Sequence, residues 1–141
     1  MILTPLTIRS WLMLQPVYRD ATTEQWGRID RLLAEAFRYN LFQVWVRNYA
    51  VTAVATYKLI WPEDVAKVMR REWVDHAIGV GKVTPVLFVT NLAVTPGFDM
   101  MHVKLFLRSL RAQGIIWFRE DRKLHYFPRQ AGATDGGQLI I

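Results

Sequence analysis

The 141-residue sequence predicts a mixed α/β (α+β) fold, a largely antiparallel sheet flanked by helices, in one domain over residues 1–129 with a C-terminal tail over 130–141. Segments with apolar residues three and four apart alternate with short runs rich in β-branched and aromatic residues. Their order is helix, two strands, helix, strand, helix, two strands, which requires one crossover in an otherwise antiparallel sheet. A hydrophobic content of 52% against 21% charged residues is too apolar for a disordered chain, and this length suits one core of ordinary size.

The elements follow in order. Residues 8–14 are too short to classify by periodicity, and Pro16 interrupts them. Thr22 or Thr23 caps a helix over about 24–38, with Glu24 and Gln25 in its first turn. Trp26, Ile29, Leu33, Ala36 and Phe37 form its buried face, and Asn40 ends it. Residues 41–46 and 50–57 read as a hairpin turning at Asn48. Trp61-Pro62-Glu63-Asp64 has the chemistry of a helix start, with Val65, Val68, Met69 and Trp73 as the buried stripe and Lys67, Arg70 and Arg71 as the wet side. Gly79 and Gly81 close that helix in a loop free to move. Residues 86–94 form a continuous apolar strand, the pattern of burial on both faces. After the break Thr95-Pro96-Gly97, residues 98–112 read as a helix with Met101, Leu105, Leu107 and Leu110 among its apolar positions and Gly114 as its C-terminal glycine. Residues 115–119 and 124–127 are the closing strands around the charged turn 120–123, and 130–138 is a polar, glycine-rich stretch.

Composition removes several function classes. The absence of cysteine excludes disulfide scaffolds, thiolate metal sites and cysteine nucleophiles, and is compatible with a reducing compartment. The longest uncharged run, 83–98, is broken by Thr84, Pro85, Asn91 and Pro96, so no membrane span is expected. The start of the chain lacks a basic region and a small-residue cleavage site, which predicts a cytoplasmic protein. Eighteen basic residues against 12 acids give a net charge of +6, which favours phosphate-bearing partners without choosing among them. The basic residues are dispersed, and Trp26, Trp45, Trp73 and Trp117 lie on apolar patterns, so core packing is favoured over nucleic-acid binding. His76, His102 and His125 have no metal-ligand spacing, so no metal is expected.

The unit 92–111 runs strand, break, helix. A helix start leaving a strand presents free amides and the positive end of a dipole, an anion-binding geometry, here from about Phe98 to Met101. Any strand-to-helix connection has this shape, and Asp99 at its mouth repels an anion.

Asn91-Leu92-Ala93-Val94-Thr95-Pro96, the helix to Leu110 and Ala112-Gln113-Gly114 resemble the acyl-coenzyme A binding core of the N-acetyltransferase (GNAT) superfamily. The superfamily's Q-x-x-G-x-G/A signature is missing, and Gly97 is the glycine nearest the turn. The chain is more closely similar to the RTX-toxin-activating lysine acyltransferases of the haemolysin-activating type, which have a GNAT-like fold. Ser10-Trp11-Leu12 resembles their opening. Arg47-Asn48-Tyr49 through Val54-Ala55 and Tyr57 resembles their R-x-N-Y-P-V-A-Y hairpin, and Phe88-Val89-Thr90-Asn91-Leu92-Ala93 their F-I-D-W-I-A-P strand. The likeness covers most of 10–129 in short blocks.

The resemblance implies an acyl-CoA-dependent N-acyltransferase whose acceptor is a protein lysine. Phe98, Asp99, Met100 and Met101 would hold the pyrophosphate of the cofactor. Backbone N–H groups of Leu92, Ala93 and Val94 would polarise the thioester carbonyl. The family's catalytic histidine falls on Tyr18, in Val17-Tyr18-Arg19, and its aspartate on Thr90. Tyr18 or Tyr57 would protonate the departing thiolate, but a phenol with a pKa of about 10 is a poor base at neutral pH, and threonine carries no charge to orient one. Recruitment of His125 or Glu63 as the base is an open alternative. Either the chemistry has been rebuilt or this copy no longer catalyses. On the second alternative the chain is an inactive GNAT-like structural or assembly protein, forming a homo-oligomer or joining a larger assembly. It is similar in size and in its strand–helix–strand–strand ending to small internal virion or assembly proteins of short-tailed bacteriophages. The apolar ends, 1–6 and 139–141, fit that role.

Overall fold

The computed structural model describes residues 2–77, 83–118 and 123–129. The chain divides into two compact units, Met1–Tyr57 with Thr90–Phe98, and Lys58–Val89 with Asp99–Ile141.

In the first unit, Thr4 and Pro5 start helix α1 (Pro5–Met13), which periodicity alone left unassigned. Proline at the first turn needs no N–H partner, and a capping box closes the end: Thr7 N donates to Thr4 Oγ1 at 3.2 Å and Thr4 N to Thr7 Oγ1 at 2.8 Å. Ile8 and Leu12, one turn apart, are buried, each contributing about 1.5–3 kcal/mol by leaving water. A 3₁₀ turn, Pro16–Tyr18, leads to α2 (Thr23–Tyr39). Thr22 is the cap, paired with Gln25 in a second capping box. Asn40, at φ 57°, takes the left-handed conformation that ends the helix, and Leu41 N donates to Ala36 O at 2.8 Å. The expected face of α2 faces inward: Leu33 and Ala36 are buried, and Trp26, Ile29 and Phe37 pack around a core of Ile8, Leu12, Leu33, Val54 and Ala93.

Strands β1 (Phe42–Arg47) and β2 (Ala50–Ile60) pair antiparallel through a two-residue turn, Asn48 and Tyr49, both at positive φ as a type I′ hairpin requires. Trp45 stands opposite Ala53 and Val46 opposite Val51, so Thr52 forms a bulge, and its hydroxyl donates to Trp45 O at 3.1 Å.

In the second unit a 3₁₀ turn, Pro62–Asp64, passes into α3 (Val65–Met69), far shorter than the helix expected to run through Trp73. Arg71 adopts φ 62°, and Arg71 N to Val68 O with Glu72 N to Lys67 O complete a Schellman ending that glycine usually provides. Of the predicted stripe only Val68 is fully buried within α3. Strand β3 (Val86–Val94) is as expected in extent, but buried and half-buried residues alternate along most of it instead of both faces being fully covered. Helix α4 (Met101–Ser109) is shorter at both ends than predicted. Val103 and Leu107 are its buried residues, whereas Met101 and Leu105 are exposed. Gly114 opens strand β4 (Gly114–Phe118) and does not cap α4; a Cβ there would lie 2.8 Å from Tyr126 Cε2. β4 pairs antiparallel with β5 (Leu124–Pro128). Around Ile60, Val68, Val74, Val86 and Ile116 this unit forms its own core. The Gly79–Gly81 loop, most of the charged turn and the tail over 130–141 lie outside the described residues.

The strands follow the order β1-β2-β3-β4-β5, with β3 and β4 parallel and the end pairs antiparallel. This is the mixed α+β fold with a mostly antiparallel sheet that the sequence predicts.

Candidate functional site

Four uncharged side chains form a hydrogen-bonded chain inside the first unit. The Tyr18 hydroxyl donates to Asn91 Oδ1 at 2.7 Å. Asn91 Nδ2 donates to Thr56 Oγ1 at 2.9 Å, and Thr56 Oγ1 lies 2.7 Å from Thr90 Oγ1. Thr56 and Asn91 are buried, so these bonds replace the water each group gave up on folding. Among the described residues no buried side-chain nitrogen or oxygen lacks a partner.

The ring of Tyr18 is held from the other side. It packs against Trp26 with centroids 5.6 Å apart, Arg9 lies over the Trp26 ring at 4.9 Å, and Arg9 Nε bonds Asp30 Oδ1 at 2.7 Å. Partial burial pushes the Tyr18 phenol well above its ordinary range, because a phenolate there would lose much of its solvating water. Tyr18 therefore keeps its proton and acts as a donor. Tyr57 follows Thr56 on β2, so its side chain points to the opposite face of the strand, and burial raises its phenol too.

The structure thus brings Tyr18 and Thr90 into one network through Asn91 and Thr56, two residues that sequence reasoning did not assign to the site. Their signal was a pair of polar residues within apolar strand runs, which must find partners if buried.

At the strand-to-helix turn, two of the four amides expected to be free, those of Phe98 and Met101, bond the protein's own atoms. Thr95 N donates to Thr52 O at 2.8 Å and Phe98 N to Thr95 O at 3.1 Å. Phe98 also meets Trp45 edge to face, with centroids 5.8 Å apart. At the start of α4, Met101 N donates to Asp99 Oδ1 at 2.9 Å and His102 N to Asp99 O at 3.1 Å. The free donors expected at Phe98 and Met101 are therefore engaged. Asp99 sets its carboxylate at the positive helix end, and Met100 O accepts from Lys104 N at 3.1 Å. On β3, Ala93 is buried in the first unit's core, and Leu92 and Val94 are half-buried.

The remaining candidates belong to the second unit. His76 Nδ1 accepts from Leu59 N at 3.3 Å, His125 stacks on Phe127 at 6.2 Å, and His102 and Glu63 are exposed. Among the described residues no group of three or more histidine, cysteine, aspartate or glutamate residues could hold a metal ion, and no helix is long and apolar enough to cross a membrane.

No protein-family model matches the chain, and no curated protein does. Among solved structures the chain is similar to one described as the crystal structure of an acetyltransferase, at 17% identity and a TM-score of 0.32, over 82% of this chain and 74% of that one. An overlap of that size fixes neither a fold family nor a chemistry.

Proposed function

We propose that this chain is a catalytically inactive protein on an acyltransferase-type α+β scaffold, with a structural or assembly role exercised through association with copies of itself or within a larger assembly such as a virion. One observation carries this reading. Asp99 Oδ1 holds the Met101 amide, so the protein's own carboxylate fills the place where the family resemblance would set a pyrophosphate. Two unit charges about 4 Å apart at an effective dielectric of about 20 repel by about 4 kcal/mol, roughly three orders of magnitude in affinity. The half-buried Tyr18 supports the same reading, since its hydroxyl is engaged with Asn91 and its raised pKa denies it the role of base. Incubation with acetyl- and longer acyl-CoA and a lysine peptide tests it. Free thiol should appear no faster than without protein and the peptide mass should stay constant; acylated peptide would overturn the proposal.

A second reading, an acyl-CoA-dependent N-acyltransferase with a lysine acceptor and a cytoplasmic site of action, is favoured by one specific fact. The two positions matched to catalytic residues, Tyr18 and Thr90, share a single hydrogen-bonded chain. Tyr18 would then hand its proton to the departing thiolate and take one back from the amine nitrogen that becomes acylated, with Asn91 holding the hydroxyl in place. Asp99 separates the two readings. Replacing it with asparagine leaves a neutral acceptor at the helix start, and a functional cofactor site would bind acyl-CoA before as well as after the change.

A further inference from the structure

The second unit carries a hollow of about 380 Å³ between the turn that opens α3 and the segment after it, lined by Trp61, Asp64, Lys67, Trp73, Asp75 and His76 among others. Most of these side chains are already engaged. Lys67 Nζ lies 3.8 Å from Asp64 Oδ1, so that carboxylate has its counter-ion. Trp73 receives the Lys58 ammonium 3.9 Å from its ring centre. The Nδ1 of His76 accepts the Leu59 amide. Two side chains remain: the half-buried indole of Trp61 and the exposed carboxylate of Asp75, neither of which has a side-chain partner among the described residues.

We propose that this hollow binds an alkylammonium group. An aromatic face attracts a cation through its quadrupole, and a nearby carboxylate adds charge. The alkyl stem of such a ligand would lie on the indole, as lysine stems lie on apolar surface throughout proteins. A bare metal ion is a poor match, because hard cations need several oxygen ligands and Asp64 is neutralised by Lys67. Trp73 shows the same recognition inside the protein, with Lys58 as its cation. The ammonium group has two sources, a free amine or a lysine side chain on a peptide.

The test titrates the full chain with n-butylammonium, with a capped Gly-Lys-Gly peptide and with neutral n-butanol, following the Trp61 indole N–H by NMR. Both ammonium ligands should saturate with a Kd on the order of millimolar, and butanol should not. Tighter binding of the peptide assigns the site to lysine side chains, and tighter binding of butylammonium assigns it to free amines. Asp75→Asn should weaken binding about threefold to fivefold. The conservative Trp61→Phe should keep binding and Trp61→Leu should lose it, each read by calorimetry on protein whose melting temperature matches wild type. Equal response to butanol, or undiminished affinity in both Asp75→Asn and Trp61→Leu, overturns the proposal.

Discussion

Tyr18 and Asn91 bond each other, and removing the Tyr18 hydroxyl leaves the buried Asn91 carbonyl without this donor. Tyr18→Phe keeps the ring against Trp26 but strips Asn91 Oδ1 of its donor, which should cost about 1–3 kcal/mol in urea unfolding at pH 7. The same residue sets a pH dependence. Folding raises its pKa, so the native state holds a proton that the unfolded chain releases above about pH 10. The stability contributed by the neutral phenol is complete below that pH and falls above it, by up to about 1.4 kcal/mol per pH unit. Stability between neutral and strongly alkaline pH should therefore fall less steeply for Tyr18→Phe than for wild type; parallel curves would contradict the raised phenol. The resemblance made Tyr18 and Thr90 legible as a pair. Thr56 and Asn91 were not legible as their link, because partnership across neighbouring strands depends on a register that no local pattern records.

At the scale of elements, capping was the most readable feature. Thr22 and Gln25 satisfy each other's amides at the start of α2, so Thr22→Ala should lower stability by about 1 kcal/mol, measured by thermal melting, with the core unchanged. Asn40 was equally plain. The short α3 was not, because an arginine at positive φ ends it and arginine carries no turn signal. Gly114 was placed correctly in sequence and wrongly in role. A helix-capping glycine would tolerate alanine only at the expense of its backbone angle, whereas here the conflict is steric. Gly114→Ala drives a Cβ to within 2.8 Å of Tyr126 Cε2 and 3.1 Å of Phe127 O, so it should destabilise by about 1–3 kcal/mol. Tyr126→Ala should relieve part of that loss in the double variant; full additivity would contradict the contact. The late start of α4 has a physical cause as well. Asp99 turns its side chain back onto Met101 N, which places the first regular turn three residues beyond the predicted one.

For the molecule as a whole, the strand and helix order was readable from periodicity, while its division into two compact units was not, since β2 and β3 each contribute residues to both. Five apolar side chains from the first 17 residues, Ile2, Leu6, Met13, Leu14 and Val17, are more than half exposed. Water contact on that many large side chains favours association. Light scattering after size exclusion should give a mass above the 16.5 kDa of one chain, and Leu6→Asp with Leu14→Asp should return it to that value. The net charge of +6 does not by itself attract a nucleotide to α4, because Asp99 stands at the helix end where an anion would enter. Isothermal calorimetry with acetyl-CoA and a long-chain acyl-CoA tests that exclusion most directly. The carboxylate at the helix start predicts no saturable heat at millimolar ligand, and a binding curve with one-to-one stoichiometry would contradict it.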